Sequence, residues 1–363
     1  VNSAHELITL IDALRTLHSA GHSRAALATL TRTRGSTFRR AGTRMLVFGD
    51  GQVVCELSGG CPQRDIVLRA QEVISSGEPR LVNYNAESGL DVLMEMGCGG
   101  ELEVLIEPIG APGASDFVDA LASCLERRHR AYLATLFAVH DKVVMPRRLL
   151  WCEGRIQHDD FGDAALSKAV MEAANLNGSG RATTVRLPAP TGSADVLIEL
   201  IAPTHALVVI GSSAAARALL PLAEALGWRT VLVDQDPQRL QAADLPSTAL
   251  KVCASPAMIR NLLPLDAHSS VVVMTHNLEQ DIAYLAALRG APVAYLGALG
   301  SRERVGRMRD EPALEGLRLH APAGLDIGSE TPEEIALAVT AEIMAVINGR
   351  DGGPLRDNQG AIH

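Results

Sequence analysis

The sequence predicts an α/β protein in two parts. Residues 1–200 read as an N-terminal α+β domain built on an internal repeat, and residues 204–350 as a C-terminal Rossmann-like, doubly wound parallel-sheet domain, followed by a tail at 351–363. Three observations predict this. A chain of 363 residues exceeds the size at which one hydrophobic core stops growing. The stretch 25–110 is echoed by 131–200, and after Pro203 the texture changes to strands alternating with helices.

The N-terminus opens on Leu7, Ile8, Ile11 and Leu14, one face of an amphipathic helix. The repeat then begins: Leu27-Ala28-Thr29-Leu30 recurs as Leu133-Ala134-Thr135-Leu136. The run Arg44 to Gly51 is echoed by Arg147 to Gly154, each a hairpin whose acidic-Gly turn joins two strands. Each copy continues into a helix, Asp65 to Ser75 and Ala164 to Leu176, with Gly77 and Gly178 as stops. Each closes on a strand, Glu103 to Glu107 matching Asp195 to Glu199.

The copies differ where chemistry is expected. The first carries Ser58-Gly59-Gly60-Cys61 and Gly97-Cys98-Gly99-Gly100, thiols on backbone with little side-chain cover, which places both on loops. The second has His158-Asp159-Asp160-Phe161 and Pro190-Thr191-Gly192-Ser193 at those places. A purely structural role would keep the elements in both copies, so the asymmetry marks Cys61 and Cys98 as functional. Cys55, Cys124, Cys152 and Cys253 have apolar or helical neighbours and read as small hydrophobes. Neither marked cysteine belongs to a C-x-x-C pair or lies near a histidine, which argues against structural zinc.

In the C-terminal part, Ala206 to Ile210 reads as a buried strand, Ala214 to Leu226 as a helix, and Thr230 to Val233 as a strand leading to Asp234. That is the plan of a dinucleotide-binding βαβ unit. Its turn, Gly211-Ser212-Ser213-Ala214-Ala215-Ala216, keeps only the first fingerprint glycine, so ordinary NAD binding is not expected. Strands follow at Ser270 to Met274 and Val293 to Tyr295, with a helix over Glu279 to Arg289. Asp234, His276, Asn277, Ser301 and Arg302 collect at strand C-terminal ends, where open parallel sheets bind ligands. Thr331-Pro332-Glu333-Glu334 is a capping box opening a last helix to about Ile347.

A net charge of −9 argues against duplex nucleic acid as a partner. The apolar runs are strand length, too short for a bilayer. A soluble chain without a secretory leader, hence a cytoplasmic location, is expected.

Taken together these stretches resemble the XdhC/CoxI family of xanthine dehydrogenase accessory proteins. The residues carrying the likeness are Arg32 to Thr37 with Arg39-Arg40, the two glycine-cysteine elements, Glu103 to Pro108, Met274-Thr275-His276-Asn277, Tyr295 to Arg302 and Gly324 to Gly328. The resemblance implies a homodimeric chaperone that binds molybdenum cofactor, as molybdopterin or its cytosine dinucleotide form. It would protect the cofactor while a cysteine desulfurase supplies sulfur, then deliver it to an apo molybdenum hydroxylase. It would have no turnover of its own. An anionic phosphate calls for Arg34, Arg39, Arg40 and Arg44 with Ser58, Gly59, Gly60, Gly99 and Gly100. The metal calls for Cys61 or Cys98, touching molybdenum or carrying sulfur. The cytosine dinucleotide form would give the C-terminal crevice, with Gly211, Asp234, His276, Asn277, Ser301 and Arg302, a nucleotide to hold.

The chain departs from the family pattern at Pro62-Gln63, where an aliphatic residue and a glutamate are usual, and at Gly211-Ser212-Ser213-Ala214, where Gly-x-Gly-His is usual. Two rival readings stand beside the chaperone: an NAD(P)-dependent oxidoreductase using the C-terminal domain, and a thiol redox protein bridging Cys61 and Cys98.

Overall fold

Ala25–Arg34 forms β1, and its run of small and branched residues is buried on both faces. Two-sided burial makes it a central strand. The computed structural model describes residues 2–19, 24–35, 37–57, 61–85, 100–110, 116–177, 180–189, 192–243, 245 and 248–357. The chain divides into two units, Val1–Pro203 and Thr204–His363.

In the first unit, α1 (Ala4–Ser19) precedes a sheet of β1, β2 (Arg44–Phe48), β3 (Val53–Val54), β4 (Arg80–Tyr84) and β5 (Glu101–Ile109), with α2 (Cys61–Ser76) between β3 and β4. The second copy repeats this: α3 (Asp116–Glu126), β6 (Ala131–Val139), β7 (Lys142–Cys152), β8 (Arg155–Asp159), α4 (Ala164–Leu176), β9 (Thr183–Ala189) and β10 (Gly192–Ile201). Both sheets are antiparallel with the same order, β3-β2-β1-β5-β4 and β8-β7-β6-β10-β9.

The repeat is also one of packing. Ala25, Leu27 and Leu46 meet their counterparts Ala131, Leu133 and Leu150 in one core with α1 and α3. Leu105 and its counterpart Leu197 close around fully buried Phe137. The opposite faces take helices: Ile66, Ala70 and Val73 of α2 lie on the first sheet, and Leu166, Val170 and Ala174 of α4 on the second. These spacings keep each trio on one helical face. Asp163 caps α4, accepting from the backbone N–H groups of Ala165 and Leu166.

The strand echo needs a one-residue correction. Thr29 pairs with Arg44 and Thr135 with Arg148, so Arg44 corresponds to Arg148, not Arg147. The first hairpin turns over residues 49–52 and the second over Glu153-Gly154 alone, so aligning on the acidic-Gly turn slips the register. Such a slip would put every side chain on the wrong face.

The second unit is a parallel sheet ordered β13-β12-β11-β14-β15, made of β11 (Ala206–Ile210), β12 (Arg229–Asp234), β13 (Leu250–Cys253), β14 (Ser269–Val273) and β15 (Tyr295–Ala298). It is the Rossmann-like fold expected. On one face lie α5 (Ala214–Ala225) and α10 (Pro332–Ile347). On the other lie α7 (Ile259–Leu262), α8 (Leu278–Ala287) and α9 (Arg302–Arg309). A short α6 (Pro237–Ala242) follows β12. The Thr331 and Glu334 capping box forms in full. The last strand lies later than Val293 to Tyr295, because Ser270 pairs with Tyr295 and Val273 with Ala298, drawing Gly297 into the ladder.

Candidate functional site

One end of the first sheet gathers the entrances to both glycine-cysteine elements. The α2 helix starts at Cys61, and one turn later Asp65 accepts a hydrogen bond from Tyr84 Oη at 2.7 Å and from Arg69 Nε at 2.6 Å. Tyr84 ends β4 and pairs with Leu102, two residues past buried Gly100. The Asp65 to Tyr84 bond therefore ties the first turns of α2 to the start of β5. Burial and the Asp65 carboxylate hold the Tyr84 phenol far above its ordinary range, so it stays a donor. Ser58, Gly59, Gly60, Cys98 and Gly99 lie outside the described residues, as does the Cys61 side chain.

The backbone at Cys61 is helical, where a loop was expected. Pro62 explains it, since a proline in the first turn loses no intrahelical hydrogen bond and arrives with its φ already set. Gln63 also has a structural task. Its Oε1 accepts from the Leu57 N–H at 3.3 Å and its Nε2 lies 3.0 Å from Met45 Sδ, bracing the segment that leads into the element.

Arg34 ends β1 opposite Glu101, is exposed, and has no ion-pair partner among the described residues. It lines an open cleft of about 250 Å³ with Asn83, Tyr84, Asn85, Glu101 and Leu102. Arg32, beside it, is neutralised by Glu103 at 2.6 Å and Asp195 at 2.8 Å. Arg39 pairs with Glu6 of α1 at 2.5 Å and lies over the Phe38 ring. The Arg40 carbonyl accepts from Thr43 N and Oγ1, turning the chain into β2. Arg44 does not serve an anion as expected. It is buried, with Nη1 and Nη2 donating to the two carboxylate oxygens of Glu199.

In the second unit the polar residues at the strand ends are largely engaged with one another. Asp234 accepts from Ser212 N at 3.2 Å, Ser212 Oγ at 2.8 Å and Asp236 N at 3.0 Å. In a dinucleotide site that carboxylate would take the ribose; here Ser212 occupies it. Gly211, at φ +103°, allows close approach of another strand end: a Cβ there would stand 2.8 Å from Thr275 N and Cα. Ser213 caps α5, Asn277 caps α8 and Ser301 caps α9. His276 and Arg302 stay exposed at the same edge.

The sequence reading missed the pair that holds this edge together. Arg304 Nη2 donates to buried Asp281 at 2.5 Å and to the Thr275 carbonyl at 3.1 Å, and Thr275 Oγ1 donates to the same aspartate at 2.5 Å. Burial pushes the Asp281 carboxyl up, against the opposing pull of Thr275 and Arg304. The available signal was an acid four residues after a cap, on the apolar face of α8. Among the described residues no cluster of three or more His, Cys, Asp or Glu is placed to hold a metal ion, and no helix is long and apolar enough to cross a membrane.

Two family profiles match the chain. The XdhC and CoxI family profile matches residues 18–85, and the XdhC Rossmann domain profile matches residues 207–343. Over 341 residues, 93 % of this chain and 96 % of the relative, it is 27 % identical to a probable xanthine dehydrogenase subunit of Bacillus subtilis (strain 168). Over 332 residues, 89 % of this chain and 83 % of the relative, it is 25 % identical to the molybdenum cofactor insertion chaperone PaoD of Escherichia coli (strain K12). A crystal structure described as a xanthine dehydrogenase from Bacillus halodurans superposes with a TM-score of 0.77 at 24 % identity, covering 94 % of this chain and 96 % of that one, and so shares the fold.

Proposed function

The chain belongs to the XdhC and CoxI family, and from that premise we propose that it carries molybdenum cofactor at the α2 and β5 end of its first sheet for delivery to a molybdenum hydroxylase. The observation that carries the reading is the Asp65 to Tyr84 hydrogen bond, which brings the entrances of both glycine-cysteine elements to one end of one sheet. Arg34, exposed and without an ion-pair partner among the described residues, stands at the same end.

The residues fit the group chemically. A guanidinium recognises a phosphate by paired charge-assisted hydrogen bonds. Glycine-rich backbone lets N–H groups approach an anion closely. A thiol is the soft donor that suits a soft metal site, and a helix N-terminus is a place where thiolates are stabilised. When bound, the cofactor supplies a molybdenum centre with an oxo ligand open to exchange for sulfur. Arg34 would hold the phosphate end, and Cys61, at the first residue of α2, with Cys98 would serve the metal end or carry sulfur from a cysteine desulfurase. A homodimer and a cytoplasmic setting accompany this reading. Either the molybdopterin or the cytosine dinucleotide form is compatible with it.

The rival reading, NAD(P) chemistry in the second unit, draws no support from a carboxylate already occupied by Ser212. The test is to mix wild type and Cys61→Ala with molybdenum cofactor under anaerobic conditions, remove unbound material and measure molybdenum and pterin per chain. Near-stoichiometric retention by wild type, lost in the folded variant, is the expected result. No retention by either would remove the reading.

A further inference from the structure

We infer that Cys124 and Cys152 form a redox-reactive dithiol, a modification site that takes up a two-electron oxidation by a hydroperoxide and closes to a disulfide between α3 and β7. Cys124 lies toward the end of α3 and Cys152 ends β7, 28 residues on, yet their Sγ atoms are 3.3 Å apart. A disulfide is about 2.05 Å long, so the sulfurs need to close by only roughly 1.2 Å. Both side chains are buried in the core shared by the two sheets, α1 and α3. Sequence alone gave each the role of a small hydrophobe, because nothing local reveals that a helix end and a strand end meet there.

A cation stands by. Arg127 Nη2 is 3.9 Å from Cys124 Sγ and is itself steadied by Arg127 Nη1 donating to Ser123 Oγ at 2.8 Å. Burial, with the Cys152 contact, holds the Cys124 thiol up at about 11. The small thiolate fraction makes the reaction slow at neutral pH, and burial restricts it to small oxidants. The step balances. The Cys124 thiolate attacks the terminal peroxide oxygen, the O–O bond breaks and the alcohol or water leaves, giving a sulfenic acid. Cys152 then attacks that sulfur, the S–S bond forms, the S–O bond breaks and water leaves. Two thiols lose two electrons, and the peroxide gains them.

The disulfide would tie α3 to the second sheet and restrict the unfolded chain, so the oxidised protein should resist denaturation better. The experiment treats the purified full-length chain with hydrogen peroxide, unfolds it, alkylates free thiols and maps peptides by mass. The expected result is two fewer alkylated thiols out of six, a linked peptide holding Cys124 and Cys152, and a raised denaturant midpoint that reductant reverses. Cys152→Ala and, separately, Cys124→Ala should lose the linked peptide and the midpoint shift. If wild type keeps every thiol, or links another pair such as Cys61 with Cys98, the inference is overturned; this readout needs neither variant to fold.

Discussion

Arg44 and Glu199, 155 residues apart, form a buried ion pair whose counterpart, Arg148 with Glu107, repeats it with the two copies exchanged. Each arginine starts from the same place in its sheet, opposite Thr29 or Thr135, and reaches the glutamate of the other copy. The pairs therefore lock one half of the repeat to the other. Burial would pull the Arg44 guanidinium down, yet Glu199 and Glu107 hold it above its ordinary value, so it remains charged.

Removing one partner leaves an uncompensated buried charge, which typically costs about 3–5 kcal/mol. Glu199→Ala should lower unfolding free energy by that order in urea titration. Replacing both members, Arg44→Met with Glu199→Leu, should recover much of the loss. Equal losses in the single and double variants would show that packing rather than charge dominates.

Gly42 and Gly211 are places where a side chain cannot be added without cost. At Gly42, φ +87°, a Cβ would fall 2.4 Å from Glu199 Oε1, and at Gly211, φ +103°, it would meet the Thr275 backbone. Gly211→Ala should destabilise the second unit by roughly 1–3 kcal/mol through the backbone alone. Thermal unfolding checks it, and an unchanged transition would contradict the close approach described.

Asp195 links the two copies, taking Arg32 at 2.8 Å and Arg186 at 2.7 Å. Burial would raise its carboxyl, but hydrogen bonds and charge from Arg186 and Arg32 hold it below the usual carboxylate range. A depressed folded-state value means the unfolded chain binds the proton first. The stabilisation is therefore present above about pH 3.9, the unfolded value, and is lost as pH falls through the lower folded value. Asp195→Asn should flatten the acid limb of a melting-temperature profile; an unchanged limb would assign acid sensitivity elsewhere.

Much of this architecture was readable in the sequence. The α4 bounds, the β11 strand and the capping box at Thr331 follow from period, turns and caps, which are local signals. Partners distant in sequence were not readable. Arg44 looked like an anion ligand because Glu199 belongs to the other copy. Asp234 looked free for a ribose because it lies 22 residues after Ser212, and nothing local in the sequence shows that the Ser212 hydroxyl donates to it. Cys61 looked like a loop residue because glycine precedes it, although Pro62 marks a helix start. At the candidate site, sequence singled out Arg34 and both glycine-cysteine elements, while the Asp65 and Tyr84 bond between their entrances required the fold.

For the second unit, titration with NADPH followed by cofactor fluorescence should show no saturable binding. Saturable binding at micromolar concentration would restore the oxidoreductase reading and require Ser212 to release Asp234.

The central claim, that the cofactor is held at the α2 and β5 end of the first sheet, is met most directly by reversing one charge at each candidate place. Arg34→Glu and Arg302→Glu are both exposed positions, so both variants should fold. Molybdenum and pterin retained per chain after anaerobic loading is the measurement. The account predicts loss in Arg34→Glu with retention in Arg302→Glu. Full retention in Arg34→Glu together with loss in Arg302→Glu would contradict it and move the site to the parallel sheet.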